Sequence, residues 1–276
     1  MKKIILTSIL LTYIYTFAES KPLPRYISLA PSTTEILFAL GLDNEIVGVS
    51  YYCNYPPQVK NKEKVGDFSH PNIEKILSLK PDYIFCTGLE QAQVVWELKQ
   101  MNLNVYVADP MNIDELFNTI SDIGRITNKT IEAEQLIQKM KEEIGAITLR
   151  TNLIPQDERV KVFVEIWHEP LTTAGKGSFI DELIVLAGGI NIAHDIPRPY
   201  SNFSSEKVVS LNPGCIILAY MDRDAPLNLV SGRLGWDRID AVKNKRVFND
   251  IDPDILLRPG PRITRGLKEL YQRLYP

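Results

Sequence analysis

Short apolar runs alternate with amphipathic helical patterns along most of the chain. In the first half, the runs that predict β-strands are 26–29, 45–49, 83–86 and 105–108. The helices predicted between them are 32–40, 72–80 and 90–101. Ser32 is predicted to cap the first helix, because Glu35 follows three residues later at the spacing of a capping box. Such alternation of strands and helices is typical of parallel sheets covered by helices, so the pattern predicts the α/β class.

The second half repeats this rhythm. Its predicted strands are 160–167 and 216–220, and its predicted helices are 179–186, 206–211 and 263–274. Between the halves, residues 128–150 contain no proline and carry an apolar stripe at helical spacing. A helix of that length is a rod of about 35 Å. We therefore predict an N-terminal lobe (19–127), a connecting helix (128–151) and a C-terminal lobe (152–276).

An internal repeat supports two similar lobes. Residues 72–85 (NIEKILSLKPDYIF) align with residues 204–217 (SSEKVVSLNPGCII) at one fixed offset. The alternative is a generic helix–proline–strand unit that recurs because it packs well. Glu74 and Glu206 share one repeat position. Each acid suits the positive end of its helix, or each is an exposed carboxylate that contacts Arg or Lys on a two-fold partner.

The N-terminus has the layout of a secretory signal peptide. Lys2 and Lys3 precede the uncharged run 4–17, and small residues then predict cleavage after Ala18. The run is shorter than the roughly 18 to 20 apolar residues that span a bilayer. No Cys follows the cleavage site, so we expect a periplasmic protein without a lipid anchor.

Charge and cysteine content exclude some classes of function. The net charge is -3 and becomes more negative once Lys2 and Lys3 are removed, which gives no basic surface for nucleic acid. Three widely spaced cysteines, Cys53, Cys86 and Cys215, do not form a zinc motif. Buried free thiols are the favoured state.

Motifs of common enzymes are missing from the sequence. GxSxG, HExxH and GxGxxG do not occur. Residues 175–178 (GKGS) lack the first glycine of a phosphate loop and are interpreted as a turn before a helix, whose N–H groups could meet a polar ligand group. His70, His168 and His194 are divided between the halves. We expect neither an enzyme, nor a resident cofactor, nor a metal site.

Aromatic residues concentrate where predicted strands end. They are Tyr51, Tyr52, Tyr55, Phe68, Trp167, Tyr200 and Phe203, together with the imidazole ring of His168. Ligands of open parallel sheets bind beyond the carboxyl ends of the strands. These side chains therefore predict a cleft for a large, flat, partly apolar ligand.

Several short motifs occur in a recognisable order. They are 47–50 (VGVS), 54–57 (NYPP), 72–82, 174–176 (AGK), 188–192 (GGINI) and 258–262 (RPGPR). In this the chain resembles the periplasmic cobalamin-binding proteins of ABC importers and, more broadly, the metal-chelate-binding class with a helical backbone. The resemblance implies two Rossmann-like lobes with central parallel sheets, joined by a single long rigid helix, with the ligand between them.

The resemblance also implies roles for individual residues. Glu74 and Glu206 would meet arginines on the two permease subunits. Tyr51, Tyr52, Phe68, Tyr200, Asp254 and Arg258 would face the ligand. Thr87 and Thr172 are further positions that would face the ligand. The chain departs from the family by having Phe68, Thr87 and Tyr200 where a Trp stands, and Thr172 where a Phe stands. The aromatic cage is thus reduced, and Trp167 and His168 are candidates to compensate.

The resulting prediction is a monomeric binding protein for cobalamin or a related corrinoid. The alternatives of the same class are an iron–siderophore complex, haem or a bare metal ion.

Overall fold

A computed structural model of the protein describes residues 22–221, 230 and 232–276. The predicted signal peptide, 1–18, lies outside the described residues. The strands are β1 Tyr26–Ser28, β2 Ile46–Val49, β3 Tyr83–Cys86, β4 Val105–Val107, β5 Lys161–His168, β6 Leu171–Ala174, β7 Ile190–Asn191, β8 Tyr200–Asn202, β9 Cys215–Leu218 and β10 Val247–Phe248. The α-helices are α1 Pro31–Ala39, α2 Ile73–Ser78, α3 Ala92–Gln100, α4 Ile113–Ile126, α5 Thr130–Thr151, α6 Phe179–Leu186, α7 Ser205–Leu211, α8 Asp240–Lys243, α9 Asp254–Leu257 and α10 Ile263–Leu274. Among the 3-10 turns is Leu89–Gln91, just before α3.

The first half forms a parallel sheet with strand order β2-β1-β3-β4. Its two faces are both buried: Ile27 and Ile84 pack into one apolar cluster, whereas Tyr26 and Phe85 pack into another. Strands covered on both faces read as nearly continuous apolar runs. This is why the sequence predicted them so clearly.

The second half forms a mixed sheet with strand order β10-β9-β5-β6-β8. Strands β7 and β9 are parallel to β5, and β10 is parallel to β9, but β6 pairs antiparallel with both β5 and β8. The expectation of a parallel sheet is therefore correct for the part built around β5 and β9. The segment from β6 to β8 departs from it.

Helix α5 links the two sheets in sequence. Its 22 residues make a rod of roughly 33 Å. It packs against α4 of the first half and against α6 and α10 of the second. A Cβ atom at Gly124 of α4 would lie 2.5 Å from Cβ of Ala133, so glycine permits this close approach of α4 and α5. Contacts with both halves hold the connecting helix firmly.

The internal repeat is structural as well as sequential. Asn72 caps α2 by accepting a hydrogen bond from Lys75 N, and Ser204 caps α7 by accepting one from Lys207 N. The residue that leads out of each unit has a left-handed backbone, with φ of 46° at Lys80 and 48° at Asn212. Strands β3 and β9 follow at the same offset. The same helix–turn–strand unit therefore occurs once in each half.

The predicted capping role of Ser32 is wrong. Helix α1 begins at Pro31 with Ala30 as its N-cap, and no side chain caps it. Proline suits the first turn because its missing N–H would have no partner there. Ser32 is consequently inside the helix, and Glu35 is free to form an ion pair described below.

Two further observations concern the cysteines and the apolarity of the helices. Cys53, Cys86 and Cys215 are buried free thiols, as predicted. Within the described part of the chain, none of the helices combines the length and apolarity needed to cross a bilayer.

Candidate functional site

A cavity of about 940 Å³ lies between the two halves. That volume is near the upper end of the range usual for small-molecule sites, roughly 300–1,000 Å³. The residues that line it are Ala30, Pro31, Ser32, Tyr51, Tyr52, Asn54, Asp67, Phe68, Ser69, Thr87, Glu90, Ala108, Asp109, Pro110, Met111, Gly177, Ser178, Phe179, Pro199, Tyr200, Met221, Asp254, Leu257, Arg258 and Pro259. The cavity can therefore hold a ligand of considerable size.

The first wall is built from the loops at the carboxyl ends of the parallel strands. Ala30 follows β1, Tyr51 follows β2, Thr87 follows β3 and Ala108 follows β4. All four loops reach the cavity because parallel strands end at the same edge of a sheet. The second wall comes from the start of α6, from β8, and from the loops after β9 and β10.

Gln91 holds three of these loops together. Its Nε2 donates to the carbonyls of Leu29, at 3.1 Å, and Phe68, at 2.7 Å. Its Oε1 accepts from the N–H of Thr87, at 2.8 Å. The side chain is fully buried, so these bonds form away from competing water. Sequence reasoning missed Gln91, since nothing in the pattern distinguishes it from a surface glutamine.

Large apolar side chains remain exposed to the cavity. Tyr51 and Tyr52 of the first half are 64% and 55% exposed, and Tyr200 of the second half is 49% exposed. Met111 and Met221 are exposed beside them. Aromatic rings left open on both sides of one cavity can stack on a flat ligand placed between them.

The lining carries more acid than base. Asp67, Glu90, Asp109 and Asp254 contribute carboxylates, whereas Arg258 supplies the positive charge among the described lining residues. Partial burial and then the charge of Glu90 raise the pKa of Asp109. Desolvation and then Glu90 also raise the pKa of Tyr200. Glu90 of the first half therefore acts electrostatically on the wall formed by the second.

The floor of the cavity is a polar junction between the halves. Arg258 Nη2 lies 2.9 Å from Asp254 Oδ1, and its Nη1 donates to Asn54 Oδ1 at 2.6 Å. Asn54 Nδ2 in turn donates to Asp254 Oδ2 at 3.2 Å. Just below, Arg262 makes two hydrogen bonds to the buried carboxylate of Glu35, at 2.6 and 2.8 Å. These contacts fix α9 and α10 against the first half.

Seven of the ten side chains predicted to face the ligand line this cavity. They are Tyr51, Tyr52, Phe68, Thr87, Tyr200, Asp254 and Arg258. Asp254 and Arg258 also bind each other and Asn54, which the sequence could not indicate because Asn54 is about 200 positions away.

The structure places Trp167, His168 and Thr172 elsewhere. They are not among the described residues that line the cavity. The ring of Trp167 packs on His168 at a centroid distance of 5.1 Å, and His168 packs on Tyr220 at 5.9 Å. Thr172 lies in β6 and donates to the carbonyl of Pro170. Neither Trp167 nor His168 lines the cavity, because β5 runs on past β9 into its pairing with β6 and keeps both rings there. Their compensation for the missing aromatic rings stays a prediction.

Glu74 and Glu206 are both exposed, each in the first turn of its short helix. Ser204 donates a hydrogen bond to Glu206 at 2.7 Å, and this bond lowers the pKa of Glu206. The two carboxylates occupy equivalent places in the repeated unit. A partner with matching cations could contact both.

The histidines do not converge. His70 is exposed, His168 belongs to the ring cluster, and His194 Nδ1 lies 3.0 Å from Asp181. Among the residues that the structure describes, no three His, Cys, Asp or Glu side chains are grouped so that they could hold a metal ion.

Comparisons with known proteins agree with this architecture. The uncharacterised ABC transporter substrate-binding lipoprotein YvrC of Bacillus subtilis is 35% identical over 257 residues, which cover 91% of this chain and 80% of the relative. The vitamin B12-binding protein of Vibrio cholerae is 30% identical over 255 residues, which cover 91% of this chain and 90% of the relative. The crystal structure of a possible iron-binding (periplasmic solute-binding) protein from Staphylococcus epidermidis superposes with a TM-score of 0.79 at 33% identity, covering 91% of this chain and 98% of that one.

The family profile described as periplasmic binding protein matches residues 27–253. The predicted fold, two lobes joined by a long helix, is confirmed. The chain belongs to the periplasmic binding protein family and is a substrate-binding protein of an ABC transporter.

Proposed function

We propose that the protein captures cobalamin or a related corrinoid in the cavity between its lobes and delivers it to an ABC importer. The observation that carries this proposal is the set of exposed rings on both sides of one large cavity, Tyr51 and Tyr52 on one lobe and Tyr200 on the other. A corrin ring is broad and flat, so it can stack on such rings through both of its faces. Similarity to a vitamin B12-binding protein over most of the chain supports the same ligand class.

The polar lining suits the edge of a corrin. Arg258, Asp254 and Asn54 at the floor provide donors and acceptors for the amide side chains that surround the ring. The first N–H groups of α6, which begins beside the cavity, provide a second polar region on the C-terminal lobe. An apolar cavity with a few polar groups at its edges is the usual composition of a small-molecule site.

Calorimetry against a ligand panel tests the proposal. The panel contains cyanocobalamin, aquacobalamin, haemin, a ferric hydroxamate siderophore and ferric iron alone. We expect saturable binding of one corrinoid per chain and weaker binding of the iron compounds. Tight binding of an iron chelate without corrinoid binding would overturn the proposed ligand and favour the alternative that the Staphylococcus relative's name suggests.

We also propose that Glu74 and Glu206 dock the protein on the two permease subunits. Their equivalent positions in the repeated helix support a contact with a two-fold partner. Replacing both by Ala should weaken capture by the permease in proteoliposomes and leave corrinoid affinity unchanged. Glu134→Ala, on the exposed face of α5, is the matched control. Collapse of ligand affinity in the double variant would contradict the docking role.

The remaining parts of the proposal concern the form of the mature protein. We propose lobes at 19–127 and 152–276 with a connecting helix at 128–151, a monomeric state, and export through the signal peptide without a lipid anchor. The position of α5 between the two sheets supports the division. The Bacillus relative is named a lipoprotein, so intact mass of the exported chain is the decisive measurement. We expect the mass of a chain that begins at Glu19. A mass that includes an acyl group would overturn the proposal that there is no lipid anchor.

A further inference from the structure

Two carboxylates on the N-terminal wall of the cavity have no cationic partner among the described residues. Glu90 precedes α3 and Asp109 follows β4, and both are exposed to the cavity. Neither forms an ion pair with a described side chain, whereas Asp254 at the floor is neutralised by Arg258 at 2.9 Å. The charge of the wall is therefore uncompensated within the described part of the chain.

The carboxylate of Asp109 lies directly against Gly88. A Cβ atom at Gly88 would lie 2.0 Å from Oδ2 of Asp109, so the carboxylate packs against the bare backbone of Gly88. Any other residue at Gly88 would displace it. Thr87, which lines the same wall, has a buried hydroxyl oxygen without a hydrogen-bond partner in the described structure.

Like charges held close together are unfavourable unless something positive is bound between or near them. Partial burial is the main cause of the raised pKa of Asp109, and the charge of Glu90 raises it further, so the two carboxylates on this wall repel each other. A bound cation would be attracted by both carboxylates, and a bound anion would be repelled by both. The same carboxylates would oppose a ligand whose periphery carries carboxylates.

We infer that Glu90 and Asp109 form a cation-selective wall, so that among metal chelates of similar shape the cavity prefers those with a positive charge and rejects anionic ones. The inference rests on the proposed function and specifies the class of chelate. Among corrinoids it favours forms with water as axial ligand over the cyanide-bound forms, since cyanide cancels one positive charge. It disfavours haem, because the propionate groups are anionic.

The test compares aquacobalamin with cyanocobalamin, which share one ring and differ by one charge. Dissociation constants are measured at a pH slightly below neutral, in low salt, for the wild-type protein and for Glu90→Gln, Asp109→Asn and the double variant. If the ligand charge lies about 8 Å from a wall carboxylate in a partly solvated cavity, their Coulomb interaction changes the dissociation constant roughly fivefold. We expect wild type to prefer aquacobalamin, each single variant to lose about fivefold of that preference, and the double variant to lose most of it. High salt should reduce the preference in the same direction.

Two controls separate charge from other effects. Glu134→Gln changes the net charge equally on the exposed face of α5 and should leave the preference unchanged. Because the result is a ratio compared between variants, any coordination of cobalt by a protein side chain cancels. An unchanged ratio in the double variant would overturn the inference while leaving corrinoid capture intact.

A pair of zinc porphyrins, one with four cationic and one with four anionic substituents, asks the same question without a corrin ring. Preference for the cationic porphyrin that weakens in the double variant supports the charged wall even if no corrinoid binds, and in that case only the proposed ligand fails. Tighter binding of the anionic porphyrin or of haemin would refute the inference, and so would failure of every probe to bind.

Discussion

Replacing Tyr51 by Ala is the most direct test of ligand stacking. Tyr51 is 64% exposed on the wall after β2, and a fully covered tyrosine buries about 150–250 Å². A flat ligand on one face of the ring would cover roughly 60 Å², which contributes about 1.5 kcal/mol at about 25 cal/mol per Å². Stacking adds about 1 kcal/mol. Tyr51→Ala should therefore lose about 2.5 kcal/mol, or roughly 60-fold in affinity.

Titration calorimetry with cobalamin measures the loss, and two variants control it. Tyr51→Phe keeps the ring and should change affinity by about twofold at most. Trp96→Ala removes an aromatic side chain that is 58% exposed on α3, outside the cavity lining, and should have no effect on affinity. If Tyr51→Ala binds within about threefold of wild type while Trp96→Ala does not differ, the ligand does not stack on this wall and the reasoning fails.

Four further predictions concern the supports and the charge of the cavity. Gln91→Leu should weaken cobalamin binding and lower the free energy of unfolding by about 3 kcal/mol, since three hydrogen bonds worth about 1 kcal/mol each are lost. Urea denaturation measures the change in unfolding free energy, and an unchanged midpoint would contradict the prediction. Arg262→Met should lower the free energy of unfolding by about 3 kcal/mol, because Glu35 is left buried without its bidentate partner. Adding Glu35→Leu should restore much of this loss, whereas a purely local packing defect would not be repaired by the second change. Partial burial and neighbouring carboxylates raise the pKa of Asp109, so the preference for a cationic ligand should be present above that pKa and disappear as the pH falls through it, at a higher pH than for an ordinary aspartate. A carboxyl group whose pKa is raised by folding destabilises the folded protein when it is ionised, and not when it is protonated. Asp109→Asn should therefore raise the melting temperature at neutral pH but not in acid.

Much of the fold could be predicted because local signals agree with the tertiary structure. Strand β3 and helix α10 have the predicted bounds. The run at β3 is apolar throughout since both faces of the sheet are covered, and α10 has a clear apolar stripe. The connecting helix was predicted two residues early, because Asn128 and Lys129 do not have helical backbones.

Features that depend on distant pairing could not be predicted. Strand β6 (LTTA) is short and half polar, and it forms because β5 and β8 lie on either side of it. The direction in which Trp167 and His168 point depends on how far β5 continues past β9 into its pairing with β6. Glu35 looked like part of a capping box, yet its partner Arg262 is 227 positions away. In each case the deciding contact is absent from the local sequence.

The arrangement of polar contacts explains how one site can both hold a ligand and keep the lobes in place. Helix α5 contacts both lobes along its length, and the junction of Asn54 with Asp254 and Arg258 joins the lobes at the cavity floor. Opening the cavity would require breaking these hydrogen bonds as well as bending a helix, so large hinge motion is unfavourable. We therefore expect the cavity to be preformed, so that the free energy of binding goes into stacking on the exposed tyrosines rather than into ordering the protein.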